Sequence, residues 1–176
     1  MNLPTWVTVS RLVGIPVVFW VMQQPSDERR WLAAGVFLIA AGTDWLDGYL
    51  ARRLDQVTEL GKFLDPLVDK LLVLAPLLIL VGLNQVPAVG GFLVLARELT
   101  IAGWRVNPSI QAGSVPGANL WGKAKTVVQI AAITLLLSPG GLAYSTVALG
   151  LFWLAVALTW ISGAIYLWPQ PQKSHA

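Results

Sequence analysis

Six long apolar stretches, separated by short polar segments, are the feature that most limits how this chain can fold. They lie at residues 5–22, 31–51, 63–83, 86–106, 118–138 and 142–168. Each approaches the ~20 residues that a helix needs to cross a bilayer. Apolar residues make up 56 % of the chain and charged residues 12 %, a balance that is rare in soluble domains. We therefore predict an all-α integral membrane protein with six transmembrane helices, forming a single domain over residues 1–176.

Basic residues divide the connecting segments into two groups. The second and fourth connections carry or adjoin Arg52, Arg53, Lys62, Arg105, Lys123 and Lys125. The third and fifth connections have no basic residue, and the first pairs Arg29 and Arg30 with Asp27 and Glu28. Because basic loops stay on the cytoplasmic side, we expect these two connections and both termini to face the cytoplasm. The sequence thus predicts a multi-pass protein of the inner (cytoplasmic) membrane.

Several other chemistries are excluded by composition. The chain has no cysteine, so it has neither disulfides nor thiolate metal sites. Its net charge of +3 is scattered and forms no dense basic patch, so we expect no nucleic-acid partner. His175 lies in a polar tail and is not expected to be catalytic. The N-terminus lacks the pattern of a removable signal peptide, and Arg11 interrupts its apolar stretch, so we expect the first segment to be retained.

Four aspartates occur in a fixed frame at the end of the second apolar stretch and the start of the third. The frame reads D-x2-D-G-x2-A-R-x8-G-x3-D-x3-D over residues 44–69. On helices, Asp44 and Asp47 share one face, and Asp65 and Asp69 form a stripe at an interval of four. The small residues of the frame allow a ligand or a facing backbone to approach closely. Two helices joined by a short loop can therefore direct four carboxylates into one gap on the cytoplasmic side.

Four carboxylates at membrane depth require compensation by cations or other partners. Two Mg²⁺ or Mn²⁺ ions would neutralise them, and oxygen-only ligands suit these hard ions. Such a two-metal site can stabilise the attacking and leaving oxygens of a phosphoryl displacement. Aspartates near an interface can also be solvated caps, and small residues can mark simple helix packing. The fixed spacing of eight positions within a membrane favours the metal site.

The fourth apolar stretch also contains charged residues. Arg97 and Glu98 lie inside it, where an unpaired charge would be costly, and pairing across helices is the simplest interpretation of Glu98. Arg105 follows Arg97 by two helical turns, and Lys123 and Lys125 begin the fifth stretch. These cations can hold a phosphate beside the metal site, although the two lysines also fit ordinary positive-inside anchoring.

Residues 44–69 resemble, without a gap, the signature of the CDP-alcohol phosphotransferases, which join a CDP-linked group to an alcohol and release CMP. The resemblance implies six transmembrane helices, a homodimer and two metal ions. It makes Asp44, Asp47, Asp65 and Asp69 metal ligands, with Asp69 also the general base. It places Gly48, Ala51, Arg52 and Gly61 beside the CMP moiety and its phosphates.

Within that family, four strings are similar to bacterial phosphatidylglycerophosphate synthases. They are NLPTWVTVSR (2–11), LVDKLL (67–72), ARELTIAGWR (96–105) and GKAKT (122–126). This likeness implies transfer of a phosphatidyl group from CDP-diacylglycerol to glycerol 3-phosphate. It places Asn2 and Thr5 near the nucleotide, and Arg97, Arg105, Lys123 and Lys125 near the acceptor phosphate. The uncharged stretch from Val106 to Gly122 departs from the more polar loop of many relatives.

Two alternatives remain open at this point. One is a family member with another acceptor, such as inositol phosphate, serine or a second lipid. The other is a cation channel or transporter whose aspartates line a pathway. Carboxylates spread over several helices would favour the transporter, whereas here all four lie in one helix–turn–helix.

Overall fold

The described part of the chain is helical throughout. The computed structural model describes the backbone of residues 3–54, 59–106 and 120–167, and the side chains of residues 11–43, 67–103 and 121–165. The helices are α1 (Leu3–Val21), α2 (Asp27–Leu54), α3 (Glu59–Gly82), α4 (Ala88–Val106), α5 (Leu120–Leu137), α6 (Gly140–Ala143) and α7 (Ser145–Leu167). Six long helices coincide with the six apolar stretches, and α6 is one additional short turn. The all-α prediction is confirmed.

The number of membrane crossings is a separate question. Among the described residues, the stretch Ser145–Ile165 of α7 is long and apolar enough to cross a bilayer, and Arg11–Val21 is a shorter apolar helix. Charged residues lower the hydropathy of other helices. Helix α4, for example, has Arg97, Glu98 and Arg105 among its 19 residues. The six-span topology therefore stays a prediction.

Local sequence signals explain where several helices begin and end. The Ser26 hydroxyl accepts a hydrogen bond from the Arg29 backbone N–H at 3.4 Å, and the acidic residues Asp27 and Glu28 occupy the first turn of α2. Both features stabilise a helix N-terminus. After α3, Asn84 adopts a positive φ of 56°, a conformation that asparagine tolerates better than most residues. The chain can thus turn sharply before Pro87 and enter α4.

Helix α5 packs against α7, α2 and α3 and forms the centre of the bundle. Its Ile133 and Leu137 are fully buried together with Phe37 of α2, Leu80 of α3 and Phe152 of α7. Helices α4 and α7 approach closely at Gly90, where an added Cβ would lie 2.5 Å from Cε1 of Phe152. A second contact between the same two helices is made by Arg97, which lies against Ser162 and Gly163 of α7.

Arg30, near the start of α2, is buried and contacts the turn between α3 and α4. Arg30 is 5 % exposed, and its Nη1 donates to the Gln85 side-chain oxygen at 3.4 Å. If the Gln85 amide is turned over, so that its oxygen and nitrogen exchange places, the oxygen accepts from Nη1 and Nη2 of Arg30 at 2.9 and 2.7 Å. In this orientation the Gln85 amide donates to the Leu136 carbonyl at 3.1 Å. Burial lowers the pKa of the Arg30 guanidinium, and the Asp27 carboxylate opposes that change. The contacts link the start of α2, the α3–α4 turn and the end of α5.

Candidate active site

Asp69 of α3 forms an ion pair with Arg11 of α1. Arg11 Nη1 donates to Asp69 Oδ1 at 2.7 Å, which is a short, charge-assisted hydrogen bond. The Arg11 side chain is 1 % exposed, whereas the Asp69 side chain is 42 % exposed. The guanidinium thus fixes the carboxylate from the buried side. The Asp69 side chain nevertheless remains partly exposed to solvent.

The predicted partners of Asp69 lie on the same two helices. Asp44 and Asp47 fall within α2 and Asp65 within α3, so the helical spacing used in the sequence analysis holds for the backbone. Helices α2 and α3 pack against each other. Pro66 lies inside α3, seven residues after that helix begins at Glu59. Helix α3 therefore does not begin at this proline.

Several predicted site residues lie outside the described side chains, and their roles stay predictions. The set comprises Asp44, Asp47 and Asp65 among the metal ligands, Asn2, Thr5, Gly48, Ala51, Arg52 and Gly61 around the nucleotide, and Arg105 in the acceptor group. The stretch 107–119, which covers most of the uncharged segment, is likewise outside the described residues. Within the described residues no group of three or more metal-ligating side chains occurs. This is expected, because Asp69 is the one aspartate of the frame whose side chain is described.

A second charged cluster is centred on Glu98 of α4. Arg97 Nη1 donates to Glu98 Oε1 at 3.1 Å, and Lys125 Nζ of α5 donates to the same oxygen. Arg97 Nη2 also donates to the Ser162 hydroxyl of α7 at 3.2 Å. The three charged side chains are only 11–13 % exposed. Glu98 thus holds two nearly buried cations together, and the cluster keeps a net positive charge.

Lys70 of α3 interacts electrostatically with the Glu98 cluster. It follows Asp69 directly in α3, and its charge acts on both Glu98 and Lys125. Coulombic interactions of this kind weaken steeply with distance and with screening by water. The residue that follows Asp69 in α3 thus carries a charge that acts on the cluster predicted to bind a phosphate.

Among the predicted acceptor-binding residues whose side chains are described, Arg97 and Lys125 lie together and Lys123 lies apart from them. Glu98 brings Arg97 and Lys125 together, and this confirms that Glu98 pairs across helices. Lys123 is exposed and lies outside that contact. Four further residues of this region were not predicted as site residues, namely Arg11, Lys70, Ser162 and Gly163. Arg11 had a usable signal, since it interrupts an apolar stretch, but Ser162 and Gly163 are ordinary small residues in α7.

An apolar groove runs between α1, α3 and α4, the first two of which carry Arg11 and Asp69. It has a volume of about 600 Å³ and is open along one side. Its lining includes Leu12, Pro16 and Phe19 of α1, Leu71 and Leu78 of α3, and Phe92 of α4. Two of the lining residues are close in sequence to the ion pair, since Leu12 follows Arg11 and Leu71 lies two residues beyond Asp69. Its surface suits an extended hydrocarbon chain.

Comparison with known proteins shows which family this chain resembles in sequence. Residues 1–161 match the family model described as CDP-alcohol phosphatidyltransferase. The chain is 41 % identical to the CDP-diacylglycerol–glycerol-3-phosphate 3-phosphatidyltransferase of Bacillus subtilis (strain 168), over 94 % of this chain and 93 % of the relative. It is 35 % identical to the protein of the same name from Pseudomonas fluorescens, over 100 % of this chain and 90 % of the relative.

A third relative has a different name. The chain is 33 % identical to the cardiolipin synthase (CMP-forming) of Oryza sativa subsp. japonica, over 78 % of this chain and 46 % of that protein. The family match covers nearly the whole chain, including the aspartate frame, the Arg11–Asp69 pair and the Glu98 cluster. The chain belongs to the CDP-alcohol phosphatidyltransferase family.

Proposed function

We propose that this protein transfers the phosphatidyl group of CDP-diacylglycerol to glycerol 3-phosphate, giving phosphatidylglycerophosphate and CMP in phosphatidylglycerol synthesis. Relatives of that name match nearly the whole chain at 35–41 % identity. The observation that carries the proposal is the net-positive, nearly buried Arg97–Glu98–Lys125 cluster, on which the charge of Lys70, the residue after Asp69, also acts. A small phosphate-bearing alcohol bound by these cations would have its hydroxyl near the carboxylate.

In this proposal Asp69 is the general base. An ionised carboxylate is the form that pairs with Arg11, and it is also the form that can accept a proton. Asp69 takes the proton from the primary hydroxyl of glycerol 3-phosphate, and that oxygen forms a bond to the β-phosphorus of CDP-diacylglycerol. The bond from this phosphorus to the bridging oxygen breaks, and CMP leaves with that oxygen. Arg11 holds Asp69 in one orientation through the reaction, because its buried guanidinium has little freedom to move.

The two ends of the donor require different surroundings. We assign Gly48, Ala51, Arg52, Gly61, Asn2 and Thr5 to the cytidine and its phosphates. The apolar groove between α1, α3 and α4 is suited to an acyl chain, because it is lined by apolar side chains of the two helices that carry Arg11 and Asp69 and of α4. A chain lying there would place the reacting phosphates near the carboxylates.

Members of this family generally depend on divalent cations. The donor set fits such ions, because Asp69 presents a half-exposed carboxylate and the other three predicted ligands are also oxygen donors. We assign Asp44, Asp47, Asp65 and Asp69 to two Mg²⁺ or Mn²⁺ ions. When bound, these ions would offset the charge that develops on the phosphate oxygens.

The surface supports a location in the lipid bilayer. Many large apolar side chains are exposed, among them Trp20, Ile39 and Val127 at 67–71 %. Soluble monomers rarely expose so much contiguous apolar surface, whereas lipid or a second subunit would cover it. We propose six spans in the inner membrane, an active site between α2 and α3 that faces the cytoplasm, and a homodimer.

A second lipid is the alternative acceptor that a specific observation favours. The rice relative is named a cardiolipin synthase, so membership of the family does not by itself fix the acceptor. The nearly buried Arg97 and Lys125 favour a small anionic acceptor that can enter between helices. The relatives named here are enzymes, and none is named as a cation transporter.

The test is an acceptor panel with purified protein. CMP release would be measured with CDP-diacylglycerol and, in turn, glycerol 3-phosphate, free glycerol, inositol phosphate, serine and phosphatidylglycerol. We expect release with glycerol 3-phosphate and at least a hundredfold less with glycerol, since glycerol lacks the phosphate that the cations bind. Equal use of glycerol and its phosphate, or preference for another acceptor, would reject the proposal.

A further inference from the structure

Helix α7 supplies two residues that contact Arg97 but carry no charge. The Ser162 hydroxyl accepts a hydrogen bond from Arg97 Nη2 at 3.2 Å, and the serine is 5 % exposed. Gly163 is also buried, and a Cβ added to it would lie 3.1 Å from Nε and 3.4 Å from Cγ of Arg97. Real Cβ atoms rarely have contacts this short. Any side chain at position 163 would therefore push the arginine away from α7.

These contacts hold the Arg97 guanidinium in one orientation. Glu98 binds Nη1, Ser162 binds Nη2, and the stem lies against the bare backbone at Gly163. A guanidinium has five N–H donors in a rigid fork, and only two of them are used in these side-chain bonds. Nε is buried and has no hydrogen-bond partner among the described residues. The anchored fork thus keeps donors on its Nη atoms for a further oxygen ligand.

We infer that Ser162 and Gly163 are positioning residues for the acceptor phosphate, which act by holding Arg97 in the orientation that binds it. This inference rests on the proposed function, because it takes Arg97 as a ligand of that phosphate. It assigns α7 a part in acceptor selection, although α7 carries none of the aspartates. Bidentate recognition of phosphate depends on the placement of the fork, so a shift of a few tenths of an ångström weakens binding.

The test compares glycine substitutions at two positions of α7. Gly163→Ala adds a Cβ against Arg97, whereas Gly150→Ala adds one where no atom lies within 4 Å. Both replacements give the helix the same gain in intrinsic propensity, so Gly150→Ala is a matched control. We expect Gly163→Ala to raise the KM for glycerol 3-phosphate about tenfold, with kcat and the KM for CDP-diacylglycerol changed less than about twofold. Gly150→Ala should resemble wild type in all three constants.

Ser162→Ala provides a second variant, which removes one hydrogen-bond partner of Arg97 and adds no volume. We expect it to raise the KM for glycerol 3-phosphate about threefold to tenfold, as loss of one hydrogen bond to a charged group would. Arg97→Lys then tests whether the effect passes through Arg97. In the Arg97→Lys background, Gly163→Ala should change this KM by less than about twofold, because residues that act through one contact are not additive.

The results separate this inference from the proposed function. If wild type and Gly150→Ala release no CMP with glycerol 3-phosphate, the proposed function is wrong whatever the other variants do. If they use it normally and Ser162→Ala leaves its KM unchanged, the positioning role is wrong. Equal losses for donor and acceptor in Gly163→Ala, or full additivity with Arg97→Lys, would also overturn it.

Discussion

Asp69 and Glu98 are both carboxylates paired with cations, yet their surroundings differ. The Asp69 side chain is 42 % exposed and has a buried arginine behind it, whereas that of Glu98 is 13 % exposed and lies between Arg97 and Lys125. The first arrangement leaves a reactive group accessible. The second uses a carboxylate to hold two cations near each other. In the proposed mechanism, the same side-chain type therefore serves the chemical step in α3 and ligand binding in α4.

The largest effect should come from removing divalent cations or one of their predicted ligands. We expect excess EDTA, or Asp47→Asn, to abolish CMP release, because the phosphates and four carboxylates would then repel one another. Restoring Mg²⁺ or Mn²⁺ should recover activity of the wild type but not of the variant. Undiminished release in EDTA would show that the α2–α3 carboxylates do not act through metal.

Asp69→Asn should have the next largest effect. Loss of a general base typically costs about 10²- to 10⁴-fold in rate, while donor binding depends on it much less. Calorimetric titration with CDP-diacylglycerol beside single-turnover CMP release would measure the two properties separately. Release near the wild-type rate would exclude Asp69 as the base.

Replacement of Glu98 should act on stability more than on chemistry. Glu98→Ala leaves Arg97 and Lys125 nearly buried without their shared carboxylate, and breaking a buried ion pair costs about 3–5 kcal/mol. Thermal unfolding in detergent would detect this loss, with Glu28→Ala at an exposed helix start as the control. An unfolding temperature equal to that of the control would mean that Glu98 does not hold the cluster together.

The two lysines at the start of α5 should differ most clearly in acceptor binding. Lys125 is nearly buried and contacts Glu98, whereas Lys123 is exposed two residues away. We expect Lys125→Ala to raise the KM for glycerol 3-phosphate about tenfold to a hundredfold, as loss of a charge-assisted hydrogen bond worth ~1.5–3 kcal/mol would. Lys123→Ala should change it less than about threefold. Equal effects would indicate that both lysines are general electrostatic anchors.

The same contrast explains what could be predicted from the sequence. The aspartate frame spans two helices that adjoin in the chain, so helical spacing was enough to place Asp44, Asp47, Asp65 and Asp69 on them. The Glu98 cluster joins residues that are 27 and 65 positions apart, which spacing cannot reveal. Arg97 and Lys125 were predicted from their charge. Ser162 and Gly163 were missed because a small residue in an apolar helix shows its role only once its neighbour is known.

The ion pair between Arg11 and Asp69 could be predicted from the sequence only in part. A lone arginine in an apolar stretch predicts a buried partner, but the sequence offers several carboxylates, and only packing of α1 on α3 selects Asp69. The helix boundaries were predicted well because proline, glycine and charged residues interrupt the apolar stretches. The short α6 was missed, since four residues are too few to give a periodic pattern.

The central claim is that α3 supplies the chemistry and the α4–α5–α7 cluster binds the acceptor. The most direct test is the rate of CMP release by Asp69→Asn and Lys125→Ala as glycerol 3-phosphate is raised to saturation. We predict that saturating acceptor restores Lys125→Ala to within about threefold of the wild-type rate and leaves Asp69→Asn at least about a hundredfold below it. If saturation instead rescued Asp69→Asn, or failed to rescue Lys125→Ala, this division of roles would be contradicted.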